Sequence, residues 1–331
     1  MTHPSTRILV IGPSNIGDAI LAGGVIAELH RRFPGAHLTL VVGERAQALF
    51  AEDPRIQTLV NADAFGAFAG RVKLALALWR YQPQILVDLR HTLYALLLKP
   101  LSAWRYLRQP PARLAHMRDR HLWKLRAQVP SLAGGPSAAA GDDVLRFTAK
   151  DQAHVAILRR RWQLDGARRL TVISPGARSH IKRWTAEGFA RVADRLIEEA
   201  GCEVLFSGEP EEKPIVEEVM GLMSHRAHSA VGLTTIRQLG LLMREAALVI
   251  ANDSAALHLA SSLRVATIAI FGPTDADKYG PTSPHRRVIR RTLFCAPCEQ
   301  ALCRFNHECM RFIAPEEVFN AAQALLSASA H

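Results

Sequence analysis

Two stretches of this sequence place charge where an apolar run hands over to a predicted helix. In "ILVIGPSNIGDAIL" (residues 8–21), Asn15, Gly17 and Asp18 fall at the helix start. A helix N-terminus attracts anions through its bare amides and dipole, so a phosphate site there has no use for a carboxylate. Asp18 therefore needs another reason to be there, the plainest being that it caps the helix. The stretch "SPGARSHIKRW" (174–184) has the complementary chemistry. Small residues, Ser174 and Gly176 among them, let backbone N–H groups approach an anion, and Lys182 adds a cation. In "VIANDSAALHLASSL" (249–263) an apolar run ends in Asn252-Asp253-Ser254, with His258 five residues after Asp253. These groups either cap and pack a core helix or line the carboxyl edge of a sheet, where open α/β folds bind ligands.

Three other stretches carry chemistry-bearing residues. "CAPCEQALCRFNHEC" holds Cys295, Cys298, Cys303 and Cys309. Their spacing suits a structural zinc or iron ion, and equally suits four small packed thiols. Asp275 and Asp277 form a D-x-D in "FGPTDADKYGPTSP", where the Pro/Gly context favours solvated turn residues over metal ligands. Residues 99–126 are dense in Lys and Arg and include Trp104 and Trp123. They read as a solvated basic helix or as a docking surface for a phosphorylated lipid.

The elements that must position these groups alternate. "RILVIG" (7–12) is a continuous apolar run, as in a parallel strand covered on both faces. A helix over 18–33, strands at 36–43, in "RIQTLVNA" and in "PQILVDLR", and a helix near 70–80 follow. The segment "PSLAGGPSAAAGDD" (130–143) breaks the pattern and predicts a loop or linker. "AKDQAHVAILRRRWQL" then reads as a helix leading out of the first half. The alternation restarts at "RRLTVISPGA" and runs through "CEVLFSGEP", "AHSAVG", "ALVIAND" and "VATIAIFGP". Strands alternating with helices predict α/β structure. The expected architecture is two Rossmann-like, doubly wound domains, 1–160 and 161–331, facing a central cleft.

With 331 residues and 49% hydrophobic composition, the chain can bury cores for two such domains. Its 41 Lys and Arg against 30 Asp and Glu leave a formal charge of +11, which favours an anionic partner. No zinc-finger, RNP-like or bZIP pattern points to nucleic acid. No apolar run approaches the ~20 residues of a membrane span, and the start lacks a signal-peptide core, so the expected location is cytoplasmic. A dehydrogenase would show G-x-G-x-x-G after the first strand, whereas "GPSNIGD" has two glycines at another spacing.

Taken together, the stretches at 14–43, 174–184 and 252–275, with the cysteine segment running into "MRFIAPEEV", resemble glycosyltransferase family nine, the ADP-heptose:lipopolysaccharide heptosyltransferases. The resemblance implies a GT-B fold with acceptor on the first domain and sugar nucleotide on the second. It implies an inverting transfer of heptose, or a related sugar, from a nucleoside-diphosphate sugar to a lipopolysaccharide core or other anionic glycolipid. Asp18 is then the general base. Ser174, Gly176, Lys182, Glu209, Asp253, Ser254, Ala255, Ala256 and His258 are the donor residues, and Asn15, Gly17, Arg90, Arg118 and Arg120 the acceptor residues. No cofactor is expected for the chemistry, and the enzyme would work on the cytoplasmic face of the inner membrane as a transient peripheral protein. The family's D-T-G-x-x-H reads Asp253-Ser254-Ala255-Ala256-Leu257-His258 here, and the usual proline of the first helix is missing. Those departures leave the donor sugar open and keep a non-catalytic sugar-nucleotide-binding protein as the alternative.

Overall fold

In a computed structural model, which describes residues 6–66, 68–133, 145–164 and 166–328, the chain divides into two units, Met1–Arg146 and Phe147–His331. The first contains, in order, β1 (Arg7–Ile11), α1 (Ile16–Arg32), β2 (His37–Val42), α2 (Glu44–Phe50), β3 (Thr58–Asn61), α3 (Phe68–Arg80), β4 (Ile85–Asp88), α4 (Leu93–Leu98), α5 (Ala103–Leu107) and α6 (Met117–Gln128). Its strands are all parallel, in the order β3-β2-β1-β4. Leu9, Ile11, Val41 and Leu86 face one side, against Leu74 and Leu78 of α3, Ala95 of α4 and Tyr106 of α5. Right-handed crossovers place α1 and α2 on the other side, where α6 packs beside α1.

The second unit opens with α7 (Ala149–Arg161) and continues with β5 (Leu170–Ser174), α8 (Ala186–Glu198), β6 (Glu203–Phe206), α9 (Lys213–Gly221), β7 (His228–Ser229), α10 (Ile236–Arg244), β8 (Leu248–Asn252), α11 (Ala255–Ser262), β9 (Thr267–Phe271), α12 (Ala276–Tyr279), β10 (Arg286–Arg290), α13 (Glu308–Arg311) and α14 (Pro315–Ala328). The sheet is parallel throughout, in the order β10-β9-β8-β5-β6-β7. Phe189 of α8, Phe206 of β6 and Phe319 of α14 are fully buried in one core with Ile250 and Ile268. Each such side chain contributes roughly 1.5–3 kcal/mol by leaving water.

The sequence reading puts the domain boundary at 160, in the last turn of α7. That helix packs with the second unit instead. Asp151 pairs with Arg237 of α10 at 3.2 Å, both side chains being buried, and His154 Nε2 lies 2.8 Å from the Leu233 carbonyl. Most of the predicted linker, residues 134–144, lies outside the described residues. The basic stretch 99–126 is not one helix. It comprises a 3-10 turn (Pro100–Ser102), α5, an extended loop and α6, because Pro100, Pro110 and Pro111 interrupt it.

Both sheets reverse direction beside their first strand, between β1 and β4 and between β5 and β8. In doubly wound sheets ligands bind outside the carboxyl ends of the strands at this reversal. Chain topology therefore marks four loops, those following β1, β4, β5 and β8. No helix among the described residues is long and apolar enough to cross a membrane.

Candidate functional site

In the second unit, the loop after β5 is held by its neighbours. Asn252, the last residue of β8, accepts from the Trp184 amide at 3.1 Å and donates to the Pro175 carbonyl at 2.7 Å. Ser174 and Ser207 hydroxyls meet at 2.6 Å, tying the ends of β5 and β6 together. Within this loop a 3-10 turn (His180–Lys182) presents Lys182, whose Nζ donates to Asp253 Oδ2 at 2.6 Å. His258 Nε2 stands 3.8 Å from the other Asp253 oxygen. Asp253 and His258 are buried, while Lys182 is a third exposed. One carboxylate thus sits between a lysine from one loop and a histidine one turn into the next helix.

Ser254 caps α11 through its backbone alone. Its hydroxyl is buried and has no hydrogen-bond partner among the described residues. Ala255 and Ala256 form the first turn, whose amides have no acceptor within the helix. An anion placed here would meet bare amides, a free hydroxyl and the Lys182 ammonium.

Gly176 has a reason to be glycine. A Cβ there would lie 2.2 Å from Glu212 Cδ, because the Glu212 carboxyl rests against the loop. Glu212 also accepts from the Glu209 amide at 2.9 Å, and burial pushes its carboxyl above the usual range. Glu209 is exposed at the start of this turn. Glu212 escaped the sequence reading, and Asn252 entered it only as a helix cap or sheet-edge residue, not as the group that holds the loop after β5. Their only signals were an E-x-x-E capping pattern and an asparagine ending a strand, neither of which reveals a loop packed tens of residues away.

In the first unit, Asp18 lies in the first turn of α1, half-buried, with Asn15 Nδ2 3.5 Å from its Oδ2. Gly17 precedes it in the same turn. The neighbouring loop is organised by Asp88, which ends β4 and is fully buried. Its carboxylate accepts from the Arg90 amide at 2.8 Å, the Thr92 amide at 2.6 Å and the Thr92 hydroxyl at 2.8 Å. Burial nevertheless pushes the Asp88 carboxyl above its ordinary range. Gln128 of α6 bonds both the amide and the carbonyl of Asp88, and Lys124 Nζ donates to the Leu89 carbonyl at 2.7 Å. Burial holds the Lys124 ammonium below the usual lysine range. This lysine therefore braces the turn that displays Arg90, and does not belong to a solvated basic face.

Strand adjacency brings Asn15, Gly17, Asp18 and Arg90 to one sheet edge, since the Leu89 amide donates to the Ile11 carbonyl at 3.0 Å. Arg118 and Arg120 lie at the start of α6, where their bonds are local. The Arg118 amide donates to His116 Nδ1 at 3.2 Å, and Arg120 Nη1 donates to the Leu114 carbonyl at 3.3 Å.

The four clustered cysteines are free thiols, and no three His, Cys, Asp or Glu side chains among the described residues are placed to hold one ion. Cys295 and Cys298 lie around a tight bridge between Leu293 and Ala296, while Cys309, on α13, packs toward Gly272. Burial and the other three sulfurs push the Cys309 thiol up to about 11. The sulfurs are near enough to influence one another but do not converge as a ligand set, so the expected zinc or iron site does not fit this arrangement. Asp275 acts as the cap of α12, accepting from the Asp277 amide at 2.9 Å.

Comparison with known proteins agrees with this layout. The sequence profile of glycosyltransferase family 9 (heptosyltransferase) matches residues 131–308. The lipooligosaccharide heptosyltransferase 2 of Campylobacter jejuni is 25% identical, covering 98% of this chain and 99% of that one. The structure of a family 9 glycosyl transferase from Veillonella parvula superposes with a TM-score of 0.80 at 22% identity, over 99% of both chains. The E. coli ADP-heptose lps heptosyltransferase II superposes at 0.77 and 20% identity, over 98% of this chain and all of that one. Two doubly wound units of GT-B type, the same fold over full length and a profile spanning more than half the sequence lead to one conclusion: this chain belongs to glycosyltransferase family 9, the heptosyltransferases, and is a glycosyltransferase.

Proposed function

We propose that the chain is an inverting heptosyltransferase. It moves a heptose from a nucleoside-diphosphate sugar, ADP-heptose in the first instance, to a lipopolysaccharide core or a related anionic glycolipid. The observation that carries this reading is the placement of opposite chemistries at the two topological reversals. The first unit presents a carboxylate, Asp18, and the second presents Lys182 beside bare helix amides and the Ser254 hydroxyl. A relative is named for lipooligosaccharide and a structural neighbour for ADP-heptose, which supports the substrate class.

In this reading the second unit takes the donor. Ser174, Gly176, Lys182 and the first turn of α11, with Ser254, Ala255 and Ala256, receive the diphosphate. Asp253 holds Lys182 in place and with His258 faces the sugar, while Glu209 serves the nucleoside. The first unit takes the acceptor through Asn15, Gly17 and Arg90, with Arg118 and Arg120 at the start of α6. Asp18 accepts the proton of the acceptor hydroxyl as its oxygen bonds to the anomeric carbon. The bond from that carbon to the diphosphate breaks on the opposite face, and its electron pair leaves with the nucleoside diphosphate. Donors aimed at this developing charge lower the barrier more than they tighten ground-state binding. No cofactor takes part in the proposed chemistry. An anionic glycolipid as acceptor sets the work at the cytoplasmic face of the inner membrane.

The test is a calorimetric titration with ADP and UDP, followed by transfer from ADP-heptose to a heptose-deficient lipid acceptor. Binding of ADP over UDP, with product of inverted anomeric configuration, is the expected result. Binding of neither nucleotide, or a retained configuration, overturns the reading.

A further inference from the structure

The helix layer on one face of the first unit's sheet has a second apolar side. On α3, Leu74 and Leu78 are buried against the sheet, whereas Val72, Leu76 and Trp79 are exposed. Their spacing of four and three residues sets them in one stripe along the helix. The pattern repeats on α4, where Ala95 is buried and Leu93 and Leu97 are exposed. Leu101, in the Pro100–Ser102 turn, is 100% exposed, and on α5 Trp104 and Leu107 flank the buried Tyr106. α3 packs on α4 and α4 on α5, and all three cover the same sheet face, so these side chains share the outer side of one layer. Scattered exposed leucines are ordinary, but a continuous apolar surface of this kind marks an interaction site.

The charge around it identifies the occupant. Between residues 64 and 118 the sequence has nine Lys and Arg and a single acid, Asp88. That acid is fully buried, so the surface of the segment carries no carboxylate. Arg71, Lys73, Arg80 and Arg108 are exposed beside the apolar stripes. Two copies meeting through this face would bring both cation sets together, with the flanking Asp63 and Asp119 too few to answer them. A lamella of anionic lipid answers both properties at once: headgroups take the cations, and the leucines and tryptophans reach the acyl boundary. The helices are short and lie along the sheet, which suits a surface that rests on a bilayer and does not cross it.

We propose that the outer side of α3, α4 and α5 is a docking face for an anionic lipid bilayer. This deepens the glycolipid-acceptor reading by naming the surface that would hold the first unit against the acceptor's membrane. The test itself needs neither donor nor acceptor. The full chain is sedimented with vesicles of phosphatidylcholine alone and of phosphatidylcholine with phosphatidylglycerol, at low and high salt. Wild type should partition onto the anionic vesicles and be released by salt. The triple variant L97N/L101N/W104S removes apolar contact at exposed positions and should lower partition about tenfold or more. Lys73→Gln should lower it about fivefold, on anionic vesicles only. Unchanged melting and ADP affinity in these variants would show that the fold and the donor site are intact. Equal partition of wild type onto neutral and anionic vesicles overturns the proposal, as does equal partition of wild type and triple variant. A wild-type dimer by light scattering that the triple variant turns into a monomer would assign the face to a second copy instead. Vesicle binding that persists in a protein with no affinity for ADP would overturn the ADP-heptose donor reading while leaving the docking face supported.

Discussion

Replacing Lys182 by Met keeps most of the side chain's volume and removes its charge. Two consequences are separable. Asp253, 6% exposed, loses the ammonium 2.6 Å from its Oδ2 and is left with the His258 ring 3.8 Å from its Oδ1. Breaking a buried pair costs about 3–5 kcal/mol. Lys182 is 33% exposed, so solvent already screens the pair, and the expected loss is nearer ~2 kcal/mol. For a unit of this size that is a fall in Tm of about 4–8 °C. The second consequence is for the ligand. A charge-assisted phosphate contact contributes roughly 1.5–3 kcal/mol, so ADP affinity should fall about ten- to hundredfold. The double variant Lys182→Met/Asp253→Asn discriminates between the two, because removing the stranded charge should restore Tm without restoring ADP affinity. Melting curves and calorimetry with ADP provide the readings. If the double variant binds ADP like wild type, Lys182 is a structural partner of Asp253 and not a phosphate ligand.

Asp18→Asn should lower turnover about 10²–10⁴-fold with ADP affinity unchanged, since its proposed role is to accept a proton in the acceptor unit; steady-state kinetics with wild-type turnover would remove it as the base. Gly176→Ala forces a methyl into the space of Glu212 and should destabilise by about 1–3 kcal/mol. Adding Glu212→Ala should recover most of that stability in denaturant titration, and failure to do so would show that the Gly176 backbone, not the carboxyl, sets the requirement. Cys309, its thiol pushed up to about 11 by burial, should react with iodoacetamide at pH 8 far more slowly than the unfolded chain's thiols, at about a hundredth of their thiolate content. Peptide mapping gives the rate at each cysteine. Protection of all four that a chelator abolishes would instead establish a bound metal, which elemental analysis of protein purified without a metal-affinity tag would identify.

Much of the fold was legible because its signals are local. Continuous apolar runs such as Ile8–Ile11 and Leu248–Ala251 suit strands of a sheet covered on both faces, and α8 shows its buried stripe in Phe189, Val192, Ala193 and Leu196. The loops around Asp18, Lys182 and Asp253 were legible for the same reason, as polar residues set where an apolar run ends. Other features left weak traces or misleading ones. The edge strand Arg286–Arg290 has one buried residue in five, so no apolar run marks it. Helix α7 reads as the end of the first half, and its contacts with Arg237 and the Leu233 carbonyl assign it to the second.

What the sequence by itself determined was the set of elements and the chemistry carried at their ends, because helix and strand periods and caps depend on residues a few positions apart. Tertiary structure decided what meets what. Strand order put the loops after β5 and β8 side by side, and so joined Lys182 to Asp253 across 71 positions. Packing set the Glu212 carboxyl against Gly176 and gave Lys124, one cation among many in a basic stretch, to the Leu89 carbonyl. It separated the leucines of α3 and α4 into those that fill the core and those that face outward, a distinction that composition cannot make because both sets are the same residue. It also left four thiols near one another without aiming them at a common point. Each of these outcomes depends on distances across the fold, and those are set by how the sheets order their strands and by which helices cover them.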